Sequence, residues 1–349
     1  MHPWSNELLD RLRQEADPKV DAGVARLLAA QKGGELYRFL QDKGPCPTEL
    51  REILGANPPG GVDRARLARG QSVYGRHAVP AMLGLLGKGL PEAYAAPHGA
   101  QILLSAGRFA RQPRERLMET ARFFIAMMEP GQLGQAREEV LKVRLVHALS
   151  RRMIATSELY HPELGLPINQ EDLIGTLLSF STLVLDAFPR LGVFLTPEEE
   201  EDYFYVWQTV AWYLGINPEY IPDDVLDGRA FFGWVRQRHQ QASPAGAVLT
   251  KALLEALEEL VPGRMLDFLP TTLMVYLCGP KVAGYLGLHL EEDRLATSGL
   301  RALGRLTDLI GNTGTLAGPA EQLGRAIFQL VYQYGSSGRR PVYQPPSQT

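Results

Sequence analysis

His147 sits in the middle of KVRLVHALSRRMI, residues 142–154, with Arg144 three residues before it and Arg151 four residues after. On an α-helix those offsets bring the three side chains to one face. Val140, Val143 and Ile154 share that stripe, and Leu141, Leu145, Ala148, Leu149 and Met153 fill the next. A helix apolar over most of its girth is interior. Two interior guanidinium groups need anions, because an unpaired buried charge is strongly destabilising. Two answers fit the spacing. One is a set of core acids on neighbouring helices, such as Glu171, Asp172 or Asp186, around a structural histidine. The other is an anionic ligand. A haem suits the second: its iron takes one imidazole, its propionates take planar arginine forks, and its faces take apolar helices.

Other chemistries lack their residues. The seven histidines form no HExxH. Glu158 and His161 have the ExxH spacing of one half of a di-iron bundle site, but no second half exists, and YHPELGLP around His161 reads as a loop. No GxSxG, GxGxxG or phosphate-loop sequence occurs, and LGLLGKGLP lacks the required spacer. Cys46 and Cys278 have no zinc spacing and read as reduced thiols. A net charge of −3 gives no electrostatic footprint for nucleic acid.

The elements that must carry these residues are helical. The apolar period predicts short helices over 5–15, 19–32 and 34–42, and long ones over 114–129, 135–155, 170–190, 196–214 and 244–261. Asn169 before QEDL reads as an N-cap, and so does Thr196 before PEEEE, with proline and acids in the first turn. No alternating strand and no Asn-Gly hairpin turn is present. The class is all-α. ANPPGG at 56–61 separates an N-terminal helical extension, 1–55, from a main helical domain, 56–335. SSGRRPVYQPPSQT, 336–349, reads as a disordered tail. The apolar run 173–188 falls about one turn short of the ~20 residues of a membrane span and carries Asp186, so it reads as a core helix. The N-terminal residues are charged and lack an apolar signal core. A soluble, cytoplasmic protein with no transmembrane segment is the expectation.

Four segments then occur in order: TARFFIAMMEPG (120–131), KVRLVHALSRRM (142–153), GLPINQEDLIGTLLSFSTLVLDAFPRLG (165–192) and DYFYVWQTVAWYLGI (202–216). Together they resemble the haem-dependent oxygenase family of the latex-clearing proteins (rubber oxygenases) and the fungal oxygenase of mycophenolic acid biosynthesis. The resemblance spans residues 114–216, and the pairing of R-x-x-H-x-x-x-R with PINQEDL-x-GTLLSFS makes it specific. It implies a multi-helix bundle with a globin-like haem-binding core and haem b as cofactor. It implies that His147 is the proximal iron ligand, supported by Arg144 and Arg151. The distal helix of the rubber oxygenases carries Arg-x-x-Lys-Thr. Here that stretch is Arg116-Leu117-Met118-Glu119-Thr120, with Glu119 in place of the lysine. The closed state that the lysine makes is therefore not expected. Glu119 is left as a distal acid or base, or as the i+3 partner of Arg116. Ser179 falls where a threonine is common and keeps a hydroxyl near the site. The resemblance thus implies Arg116, Glu119, Thr120 and Ser179 as catalytic candidates. It also implies oxidative cleavage of carbon–carbon double bonds in isoprenoids, so a small apolar substrate and dioxygen are the expected partners. The competing expectation is a non-enzymatic haem protein that binds or senses oxygen or redox state, with Met118, Met127 or Met128 as a second iron ligand. Oligomeric state is not legible.

Overall fold

The computed structural model describes residues 2–105, 112–158, 160–260, 268–288, 294–311, 317–338 and 341–343. Among them every regular element is a helix and none is a strand. The N-terminal part holds α1 (Asn6–Leu12), α2 (Pro18–Ala29), α3 (Gly33–Leu40) and α4 (Arg51–Gly55). Next come α5 (Arg64–Arg76), α6 (Ala78–Gly84), a π-helical turn (Leu85–Gly89), α7 (Leu90–Tyr94) and α8 (Pro97–Ser105). The long helices are α9 (Pro113–Met128), α10 (Leu133–Ile154), α11 (Gln170–Phe180), α12 (Thr182–Leu191), α13 (Pro197–Tyr213), α14 (Val225–His239) and α15 (Pro244–Leu260). The chain closes with α16 (Leu269–Cys278), α17 (Pro280–Tyr285), α18 (Arg294–Gly311) and α19 (Ala317–Gly335).

The expected caps are in place. Asn169 closes a capping box with Asp172 at the start of α11, and Thr196 closes one with Glu199 at the start of α13. The single helix expected over 170–190 is two. The backbone breaks at Ser181, with φ −112° and ψ −87°. The cause is local: Ser181 Oγ donates to Leu177 O and Thr182 Oγ1 to Leu178 O, so side-chain hydroxyls compete for the carbonyls that continue a helix. By length and composition 170–191 could cross a membrane, yet 78% of that window is buried in protein. It forms the wall of the core. Phe124, Phe180 and Trp207 lock α9, α11 and α13 together, with ring centroids 5.3–6.3 Å apart. Gly89 in the π turn lets the backbone meet α11, since a Cβ there would lie 2.2 Å from Ser179 O.

Helices α2 and α3 pack directly on α10. Val20, Val24 and Leu27 of α2 and Phe39 of α3 share a buried cluster with Leu141, Leu145 and Ala148. The link between α1 and α2 threads past the start of α11. Leu166 N donates to Arg13 O at 2.8 Å, Gln170 N to Glu15 O at 2.8 Å, and Gln170 Nε2 to Ala16 O at 2.6 Å. The tail departs from the expectation of disorder in one place. Residues 339–340 and 344–349 lie outside the described residues, but Tyr343 is buried in the α2–α3–α10 cluster. Arg122 explains it, with its guanidinium 5.1 Å from the Tyr343 ring and a hydrogen bond to Pro341 O. An aromatic ring with a cation waiting for it overrides the composition around it.

Candidate functional site

α10 holds His147, Arg144 and Arg151 on one face, as the spacing requires. His147 is half-buried. Burial and the positive field of Arg151, with smaller contributions from Arg116 and Arg144, pull its pKa down to about 3 against the opposing charge of Asp17. The imidazole is neutral at physiological pH. Neither ring nitrogen has a hydrogen-bond partner among the described residues. A neutral imidazole with a nitrogen free to bind is what a metal ligand needs.

The two arginines meet protein acids, but not Glu171, Asp172 or Asp186. Arg144 Nε donates to Asp17 Oδ2 at 2.7 Å and Nη2 to Asp17 Oδ1 at 2.9 Å, while Nη1 donates to Tyr213 O at 3.0 Å. Arg151 Nη2 donates to Asp21 Oδ1 at 2.7 Å, and its Nη1 to Ile168 O at 3.2 Å. Asp17 is the N-cap of α2 and Asp21 lies in its first turn. Both planar forks bracket α10 against α2 through Asp17 and Asp21, which fixes the rotation of α10. The three acids proposed from sequence are occupied elsewhere. Glu171 accepts from Arg13 Nη1 at 2.9 Å and lies 2.9 Å from His239 Nε2. Asp172 lies 3.6 Å from Arg13 Nη1 and Asp186 accepts from Arg229 Nε at 2.8 Å.

α9 carries the other candidates. Arg116 and Glu119 form an i,i+3 ion pair in which Nη1 donates to Oε2, and Glu119 is buried. Thr120 Oγ1 donates to Arg116 O at 3.1 Å. Arg116 lies near enough to His147 to depress its basicity. Ser179 on α11 is buried and donates to Gly175 O at 3.1 Å, and no hydrogen bond joins it to His147. An apolar cavity of about 40 Å³ lies against α9, walled by Met118, Thr120, Ala121 and Phe124 together with side chains of α6 and α19. Met127 and Met128 pack in the main core and Met118 in the α15–α16 cluster. His161 pairs with Glu163 in an exposed loop. Among the described residues the one metal-capable cluster is His2, Asp223 and Asp227. Both ring nitrogens of His2 are already taken, by Asp227 Oδ2 at 2.6 Å and Glu219 O at 2.9 Å, so this is a clasp for the N-terminus.

The family model for the catalytic domain described as "ER-bound oxygenase mpaB/B'/Rubber oxygenase" matches residues 72–309. The chain belongs to this oxygenase family. It is 27% identical to the rubber oxygenase of Streptomyces sp. (strain K30) over 353 aligned positions, covering 95% of this chain and 85% of that one. A solved structure of latex clearing protein LCP in the closed state superposes with a TM-score of 0.76 at 23% identity, covering 96% of this chain and 95% of that chain. The shared all-α architecture follows from that superposition, and an oxygenase activity follows from the family. The match is wider than the 114–216 span carrying the motifs, yet it begins after Asp17 and Asp21. Sequence reading missed those two residues. The available signal was Asp17-Pro18, which is an N-cap followed by proline at the first helical position, and not merely a break.

Proposed function

We propose that this oxygenase depends on haem b and uses dioxygen to cleave or oxidise a carbon–carbon double bond in an isoprenoid or another unsaturated apolar substrate. The observation that carries the reading is His147: a neutral imidazole without a hydrogen-bond partner among the described residues, between Arg144 and Arg151, which hold its helix against α2. His147 would hold the haem iron. Arg116, whose charge reaches His147, is the side chain suited to a propionate. When bound, the haem supplies the iron redox chemistry that dioxygen requires. The chain supplies the rest. The Asp17–Arg144 and Asp21–Arg151 brackets aim His147. Glu119 is the acid–base group of α9, and its Oε2 is held by Arg116 Nη1. Met118, Ala121 and Phe124 keep the neighbouring cavity apolar and dry. With Glu119 in place of the lysine, α9 would offer no amine to the iron.

The test is an absorption spectrum of the purified chain, oxidised and dithionite-reduced, with haem quantified as its pyridine complex. One haem b per chain, lost in His147→Ala, is expected. Oxygen uptake on adding squalene then separates the oxygenase from a haem protein that only binds or senses oxygen. A colourless chain that takes up no added haemin overturns the cofactor assignment.

A further inference from the structure

The chain beyond α19 runs back along α9, the helix of Arg116, Glu119 and Thr120. Arg114, in the first turn of α9, donates from Nε to Gly335 O at 2.8 Å and from Nη2 to Tyr334 O at 3.0 Å. Left-handed backbone at Ser337 and Gly338, φ +53° and +69°, then turns the chain. Arg122, two turns further along α9, receives it. Arg122 Nη1 donates to Pro341 O, and the guanidinium carbon lies 5.1 Å from the centre of the Tyr343 ring. The same guanidinium holds Glu139 Oε1 at 2.5 Å and Asp42 Oδ2 at 2.9 Å. Tyr343 and Arg122 are 5% and 6% exposed. This strap lies beyond residue 309, where the family match ends.

Where the strap lands decides what it can do. Only residues 129–132 join α9 to α10, so the two helices are antiparallel neighbours. The Arg122–Glu139 pair sets their register. One turn back on α9 and one turn on along α10, Glu119 comes opposite Val143. At the next turn Arg116 comes opposite His147, whose basicity it depresses. Tyr343 thus sits on the pair that lies one turn from Glu119 and two from His147. Burial and the negative field of Glu139, with a smaller one from Glu119, outweigh Arg122 and push its pKa up, so the phenol stays neutral. We propose that Tyr343 is a positioning residue of the oxygenase site, its ring fixing the plane of Arg122 so that the Arg122–Glu139 pair sets the spacing between the Glu119 and His147 helices. The inference rests on the roles proposed for Glu119 and His147. Charge balance does not explain the ring, because Glu139 and Asp42 already neutralise Arg122. A planar guanidinium stacked on an aromatic face loses the freedom to rotate, and both its ends stay aimed at their acids. Cover by the strap also keeps the pair out of water, where it would be screened.

Tyr343→Leu tests this, because it keeps apolar bulk in the α2–α3–α10 cluster and takes the ring from Arg122. Oxygen uptake on squalene should lose about tenfold in kcat with KM for squalene unchanged, since a misplaced group slows the chemistry more than the binding. Tyr343→Phe keeps the ring and should restore kcat to within about twofold. The second readout uses the full chain without haem. Carbethoxylation of His147 by diethyl pyrocarbonate, followed by mass spectrometry, should run about fivefold faster in Tyr343→Leu as the gap between α9 and α10 opens more readily. That rate needs no turnover. A wild-type chain inactive on squalene would therefore count against the proposed function, and the His147 rate would still decide on Tyr343. Should Tyr343→Leu misfold, Arg122→Lys decides: lysine still neutralises the acids but has no planar face for the ring, and the same two changes are expected. An unchanged His147 rate in the folded variant overturns the proposal. So does a loss of kcat that Tyr343→Phe fails to rescue.

Discussion

Asp17→Asn separates two roles for Arg144, bracketing α10 or clamping a ligand. The pair is buried on both sides, with side chains 9% and 5% exposed, and makes two short charge-assisted hydrogen bonds. Removing one partner of a buried pair costs about 3–5 kcal/mol. Asparagine softens the loss. Its carbonyl still accepts from Val20 N at the start of α2 and from one guanidinium N–H, and Tyr213 O still accepts from Nη1. About 2–3 kcal/mol is therefore expected. At roughly 2 °C per kcal/mol for a chain of this size, Tm of the haem-free protein should fall by on the order of 5 °C. The assay is thermal unfolding of haem-free wild type, Asp17→Asn, Arg144→Met and the double variant. The bracket predicts that the double variant is little worse than either single one, a coupling of about 2 kcal/mol. Additive losses, with haem affinity falling more than tenfold in Arg144→Met alone, would refute the bracket and return Arg144 to the propionates.

His77 is fully buried with both ring nitrogens unpartnered, and burial pulls its pKa down to about 4. Its folded pKa lies below the unfolded value of ~6.5, so the neutral ring favours the fold above that value and stability is lost as pH falls, about 3 kcal/mol by pH 4. His77→Leu should make acid unfolding, followed by tryptophan fluorescence, shallower between pH 6.5 and 4 (the ~6.5 and ~4 limits of the two states), while His98 and His147 keep part of the slope with the same sign; an unchanged profile would exonerate His77. Glu92 is buried between Lys88 Nζ at 2.6 Å and two Arg236 bonds of 2.8 Å, so Glu92→Ala should cost about 3–5 kcal/mol in urea unfolding, more than Glu200→Ala on the half-exposed Arg229 pair. Glu119→Gln keeps a hydrogen bond to Arg116 but removes the carboxylate. Haem content should be unchanged and the pH dependence of oxygen uptake altered; identical pH profiles would leave Glu119 a structural partner of Arg116.

What could be read from sequence was local, and what could not be read was tertiary. The helix through His147, the capping boxes at Asn169 and Thr196 and the Arg116–Glu119 pair all lie within one or two turns, where spacing alone sets the geometry. The break at Ser181 was within reach too, because Ser179, Ser181 and Thr182 crowd three hydroxyls onto one helical turn. The partners of Arg144 and Arg151 were not. Asp17 and Asp21 lie 127 and 130 residues away and look like an ordinary helix start. Periodicity says that a buried guanidinium needs an anion, not which one the topology delivers. The outcome changes how the site is built. If the anions were propionates, ligand binding would itself pin α10. Because they include aspartates of α2, the protein's own residues pin α10, through a segment that lies before residue 72, where the family match starts. The N-terminal extension then positions the proposed iron ligand, and perturbing α2 should disturb His147 although no residue of α2 need touch a ligand.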